Sequence, residues 1–136
     1  MRAAVAYVLL VVLASCCPSP AVSLDGLSAA ELETIRKEAE VLARQASEQI
    51  EKSNSDGVSI DVAGLPPALS RLKPQLVHVE RLGNGLWLVE LQLLGGFCHQ
   101  GLLIVVGPAP ASYVPVAPSA AWKVRKLADR LFKYAE

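Results

Sequence analysis

Cys98 and His99 sit side by side in the stretch Gly95-Gly96-Phe97-Cys98-His99-Gln100-Gly101. A thiol needs a neighbouring base to become a thiolate at neutral pH, and histidine often serves. This pair is where the chain would carry the chemistry of a small secreted hydrolase or thiol enzyme. Neighbours on an extended chain point to opposite sides, so adjacency alone does not bring the two side chains together. The only other histidine is His78, in the middle of a strand pattern. A structural role for Cys98 is favoured over a nucleophilic one. Zinc would have Cys98, His99 and His78 as ligands, with no Cys-x-x-Cys pair. The glycines fit neither the P-loop nor the dinucleotide fingerprint, and Gly-x-Ser-x-Gly is absent. The acidic residues fall mainly on one helix as ion pairs. No catalytic residue, cofactor or metal is therefore assigned.

Charge and composition narrow the partners. The 136 residues carry a formal net charge of zero, and aromatics make up 5%. A neutral chain has no field to attract nucleic acid, and few rings leave little for bases to stack on.

Two more cysteines, Cys16 and Cys17, follow an unbroken apolar run. Arg2 and residues 3–14 have the charge and length of an export leader. A membrane span needs about 20 apolar residues, so this run is too short to cross a bilayer. Two cut sites fit. Ala21-Val22-Ser23 has the small-x-small pattern of ordinary cleavage, which would place the leader at residues 1–23 and one domain at 24–136. Leu13-Ala14-Ser15-Cys16 ends the apolar run and resembles the lipobox of bacterial lipoproteins. That resemblance implies a diacylglyceryl group on the Cys16 sulfur and an N-terminus at Cys16. Lasting attachment takes more than one acyl chain, which such a group supplies. Cys17-Pro18-Ser19-Pro20 would then start an extended tether. Cys17 has three readings: a mere neighbour, a second acylation site, or a disulfide partner for Cys98. Cutting after Ser23 would leave Cys98 alone.

The elements that must position these residues follow from periodicity. Ser28-Ala29-Ala30-Glu31 is a capping box. Leu32, Ile35, Ala39, Leu42, Ala46 and Ile50 then form one stripe on a helix over residues 28–52, flanked by i,i+4 pairs Glu33–Lys37, Glu40–Arg44 and Glu48–Lys52. The narrow stripe suits packing on the protein's own sheet better than a partner helix. Val58, Ile60 and Val62 alternate as a short strand. Pro66 and Pro67 open a helical turn that stops before Pro74.

Residues 76–81 and the alternating Trp87, Val89, Leu91 and Leu93 form a hairpin. A three-residue loop Gly83-Asn84-Gly85 sets Val79 against Val89 and Val77 against Leu91. A two-residue loop would mix core and polar positions. The other face then holds His78 opposite Glu90 as a solvated pair contributing a few tenths of a kcal/mol. Arg81 falls opposite Trp87. Leu102-Leu103-Ile104-Val105-Val106 is apolar on both faces and belongs in a covered, central strand. Residues 107–118 form a surface loop pinned by Tyr113, Val114 and Val116. Val124, Leu127, Ala128 and Leu131 read as the inner face of a final helix over residues 119–134, with a basic C-terminal end.

The expected architecture is one small α+β domain: an N-terminal helix, an antiparallel meander of three or four strands and a C-terminal helix. The expected role is an exported or lipid-anchored envelope domain that binds a protein or surface component without catalysis. The membrane would be a partner through Cys16. The thiol enzyme at Cys98 and His99, and a purely structural envelope component, are the alternatives. Residues 1–30 fused to a reporter active only outside the cytoplasm should give an active reporter. An inactive, soluble, uncleaved fusion would sink the export reading.

Overall fold

Ser28 is the N-cap of the first helix, and its capping box is complete. The Ser28 hydroxyl accepts from the Glu31 N–H, and the Glu31 carboxylate accepts from the Ser28 N–H at 2.8 Å. From there α1 runs over Ala29–Ser53, ending on Asn54 in the left-handed conformation. The computed structural model describes residues 18–95 and 98–136; residues 1–17, with the apolar run of the expected leader and Cys16 and Cys17, and Gly96 and Phe97 lie outside the described residues. After α1 come β1 (Gly57–Ile60), α2 (Pro67–Arg71), β2 (Leu76–Gly83), β3 (Leu86–Leu94), β4 (Gln100–Val106), β5 (Lys123–Ala128) and β6 (Leu131–Ala135). Short 3₁₀ turns occupy Leu24–Gly26 and Val62–Gly64. No helix among the described residues is long and apolar enough to cross a membrane.

The six strands form one antiparallel sheet in the order β1-β2-β3-β4-β6-β5. The chain is mixed α+β, as its patterns imply, but the sheet is larger than three or four strands. The expected C-terminal helix is instead the hairpin β5–β6. Trp122 and Val124, and then Phe132 and Tyr134, pack together in one apolar cluster. Those bulky side chains suit a pleated surface better than a helix. The reversal between the strands falls at Asp129-Arg130, with Arg130 at φ 62°. The basic residues read as complementing a helix end stud an edge strand instead. Lys123, Arg125 and Lys126 are exposed on β5, where charge discourages pairing with other chains.

The α1 stripe packs on the inner face of the sheet, against Val77, Val79, Val89, Leu91, Leu102 and Ile104. Of the three i,i+4 pairs read from α1, Glu33–Lys37 forms, at 3.8 Å. Arg36 takes Glu33 and Glu40 as its partners instead. The β2–β3 register is as read: Val77 faces Leu91, His78 faces Glu90, Val79 faces Val89 and Arg81 faces Trp87. The device that sets it differs. Gly83 pairs with Leu86 around a two-residue turn, Asn84-Gly85, with positive φ at both positions. The register then shifts between Arg81 and Gly83, where Leu82 is the extra residue of a bulge. A two-residue turn plus one bulged residue yields the same pairing as a three-residue loop.

β4 is buried on both faces along its length. Its outer face carries a second core of Leu88, Leu103, Val105, Phe132 and Tyr134, packed against Ala109, Tyr113 and Trp122 from the 107–122 connection. Tyr113 does pin that loop. Val114 and Val116 do not, being 58% and 84% exposed; Pro115 is the buried residue beside them.

Val89 has no exposed surface and faces α1. Val89→Asp should therefore leave a carboxylate with no partner in an apolar layer, at a cost of about 4–5 kcal/mol. Urea denaturation followed by circular dichroism should show the variant unfolded or nearly so. A midpoint close to wild type would refute the assignment of faces.

Candidate functional site

The sequence-predicted pair, the outer sheet face beside it and a cavity beside α1 each bring polar groups against apolar surface. The first surrounds the sequence-predicted pair. Cys98 and His99 line one cavity with Pro18, Leu94, Gln100, Ala135 and Glu136. Cys98 is disulfide-bonded, so in this form it offers no thiolate for attack. His99 is held by its neighbours. Its Nδ1 lies 3.1 Å from a Glu136 carboxylate oxygen, and its carbonyl accepts from the Glu136 N–H. Its ring stacks on Trp122 with centroids 4.5 Å apart. Among the described residues, no three His, Cys, Asp or Glu side chains gather as a metal-holding group.

The second place is the outer sheet face beside it. Trp122 lies between His99 and Tyr134, its ring 5.3 Å from that of Tyr134 and nearly parallel. Tyr134 is fully buried and donates its hydroxyl to Glu90 Oε1 at 2.9 Å. Burial, reinforced by the Glu90 carboxylate, pushes the phenol well above its ordinary value. This geometry needs Gly101. A Cβ there would come within 2.5 Å of the Tyr134 hydroxyl, so a larger residue would lift the ring away from Glu90. Glu90 is thus not simply half of a solvated pair with His78. His78 faces it in register, but no hydrogen bond joins them; the imidazole lies over Gly57. The arrangement is a satisfied polar network in a covered face, suited to fixing β6 on the sheet.

The third place is an apolar cavity of about 190 Å³ between α1, α2 and the segment before α1. Ala30, Glu31, Thr34 and Ile35 form one wall, Ala68, Arg71 and Leu72 the second, and Val22 and Leu27 the third. α2 is held in place from α1. Glu38 Oε2 accepts the backbone N–H groups of Ala68 at 2.8 Å and Leu69 at 3.0 Å, a carboxylate capping the start of a helix. At the rim, Arg71 reaches Glu31 at 3.5 Å, with 71% of its side chain still exposed. The Glu31 carboxyl is held below its ordinary value by the Ser28 backbone N–H and hydroxyl, and further by Arg71.

Ile35 is visible in the sequence as part of the apolar stripe of the first helix, and none of the cavity residues as a site. The available signal was Leu27, an apolar residue just before the N-cap, where hydrophobic staples form. Cys16, the candidate lipidation site, lies outside the described residues.

Glu90→Ala should cost about 1–3 kcal/mol, because it strands the buried Tyr134 hydroxyl. In a Tyr134→Phe background the same change should cost much less, since no donor remains to be stranded. Urea midpoints of the four proteins check this; additive losses would show that the hydrogen bond does not couple the two residues.

Comparison of the chain with protein-family models, with curated proteins and with solved structures returned no match.

Proposed function

We propose that the chain is an exported or lipid-anchored envelope domain that binds another protein without catalysing a reaction. The site is the cavity between α1 and α2, and its occupant is an apolar side chain that the partner carries beside an acidic group. The observation supporting this is the pairing of an apolar cavity with a mostly exposed guanidinium at its mouth.

Size argues for a side chain. An apolar cavity of about 150 Å³ holds a benzene ring, and cofactor or drug sites run from about 300 Å³ upward. The cavity of about 190 Å³ matches one leucine or phenylalanine side chain. Charge argues for an acidic neighbour. Glu31 already accepts from Ser28 through both the backbone and the hydroxyl, and Arg71 reaches it at only 3.5 Å. The guanidinium keeps donors for an incoming carboxylate. Burying one such side chain is worth about 1.5–3 kcal/mol, so the partner's surrounding surface must supply the rest of a lasting complex. The alternative thiol chemistry at Cys98 would need its disulfide reduced first.

N-acetyl-leucine is a minimal probe: one apolar side chain and one carboxylate. Titrated into the labelled protein, it should shift the methyl resonances of Val22, Leu27, Ile35 and Leu72, with millimolar affinity. N-acetyl-leucinamide should bind several-fold more weakly, and Arg71→Ala should remove that difference. Shifts absent from these methyls at saturating probe would count against the site. Equal binding of acid and amide to the wild type would count against the acidic neighbour.

A further inference from the structure

The segment that an ordinary leader cut would sever is part of the folded domain. Leu24 is 2% exposed and belongs to the main core, with Val22 and Leu27 packed against it. The turn at Leu24–Gly26 is closed from upstream: the Gly26 N–H donates to the Ser23 carbonyl at 3.2 Å. Asp25 ties the segment to the far hairpin, meeting the Arg125 guanidinium and the Lys133 ammonium, the latter at 2.6 Å. Both cations hold its carboxyl below the ordinary value, Lys133 the more strongly.

A cut after Ser23 would damage this arrangement in three ways. It would place a charged α-ammonium on a buried residue, which is costly without a partner. It would remove the Ser23 carbonyl that closes the turn. It would also delete Val22, a wall of the α1–α2 cavity. A second observation points the same way. Cys98 is disulfide-bonded, and the only other cysteines in the chain are Cys16 and Cys17. A chain starting at Leu24 would hold no intrachain partner for Cys98. Pro18, the residue after Cys17, lines the same cavity as Cys98.

We propose that the leader is removed upstream of Cys17, and that Ala21-Val22-Ser23 is not a processing site. One peptide bond upstream of Cys17 is hydrolysed, water supplying the hydroxyl of the new carboxylate and a hydrogen to the new amine. The native mature chain keeps Val22 and at least one of the two adjacent cysteines. This is the cut that the Cys16 lipobox resemblance implies.

The test uses the full chain, leader included, produced in an exporting host, with intact mass and N-terminal mapping of the folded product. Wild type should begin at Cys16 or Cys17. Ala21 is exposed, so Ala21→Gln should fold normally while blocking cleavage after Ser23, and its product should begin at the same residue as wild type. A folded product beginning at Leu24, or accumulation of full-length Ala21→Gln precursor, would overturn the proposal. A wild-type chain still beginning at Met1 would overturn it too, and would remove the leader reading with it. The leader's existence and the position of its cut therefore fail separately.

Discussion

β4 is buried on both faces, and much of the structure follows from that constraint. A strand with apolar side chains above and below needs two covers. α1 supplies the first, laying its stripe over Leu102 and Ile104. The second is not a helix. It is the 107–122 connection together with Phe132 and Tyr134 of β6, which close over Leu103 and Val105. The sheet order reflects the same demand. β6 pairs directly with β4, so β5 is pushed to the edge although it comes first in the chain. The long proline-rich connection spans the face because it has to cover it.

This arrangement explains what was legible in the sequence and what was not. The first helix, the short strand after it, the proline-started turn and the hairpin register all rest on local signals. Caps, turn glycines and alternation act over a few residues. The hairpin pairing is legible although its turn is not, because matching faces fixes register whichever turn delivers it. The C-terminal segment reads as a helix for the opposite reason. Val124, Leu127, Ala128 and Leu131 have helical spacing, and the strand alternation of Trp122 and Val124 with Phe132 and Tyr134 is interrupted between them. The β5–β6 register shifts between Lys126 and Ala128, which breaks the period-two pattern just where it would reveal a hairpin. The turn also lacks glycine and asparagine, since Arg130 takes the positive φ.

The candidate sites were less legible because each joins distant residues. Tyr134, Glu90 and Gly101 come from three strands, and nothing near any one of them announces the others. Glu38 capping α2 is equally silent: a glutamate on a charged helix reads as solvated until the second helix arrives. The Cys98-His99 pair was the most conspicuous motif, yet its two residues serve separate contacts, one in a disulfide and one on Trp122. Neighbours in sequence here meet different partners in space.

The three walls of the α1–α2 cavity differ in how firmly they are held. α1 is anchored along the sheet by its buried stripe, and α2 by Leu69, Leu72 and two charge-assisted hydrogen bonds to Glu38. The pre-helix wall has less. The Asp25 contacts with Arg125 and Lys133 are exposed and weakened by salt. Burial of Leu24 is therefore the main force holding Val22 and Leu27 against the cavity. Local opening takes place where buried apolar contacts are fewest. The wall formed by Val22 and Leu27 is thus the least firmly held of the three, while α1 and α2 fix the opposite walls. The same few residues therefore both wall the cavity and tie the segment before α1 to the core.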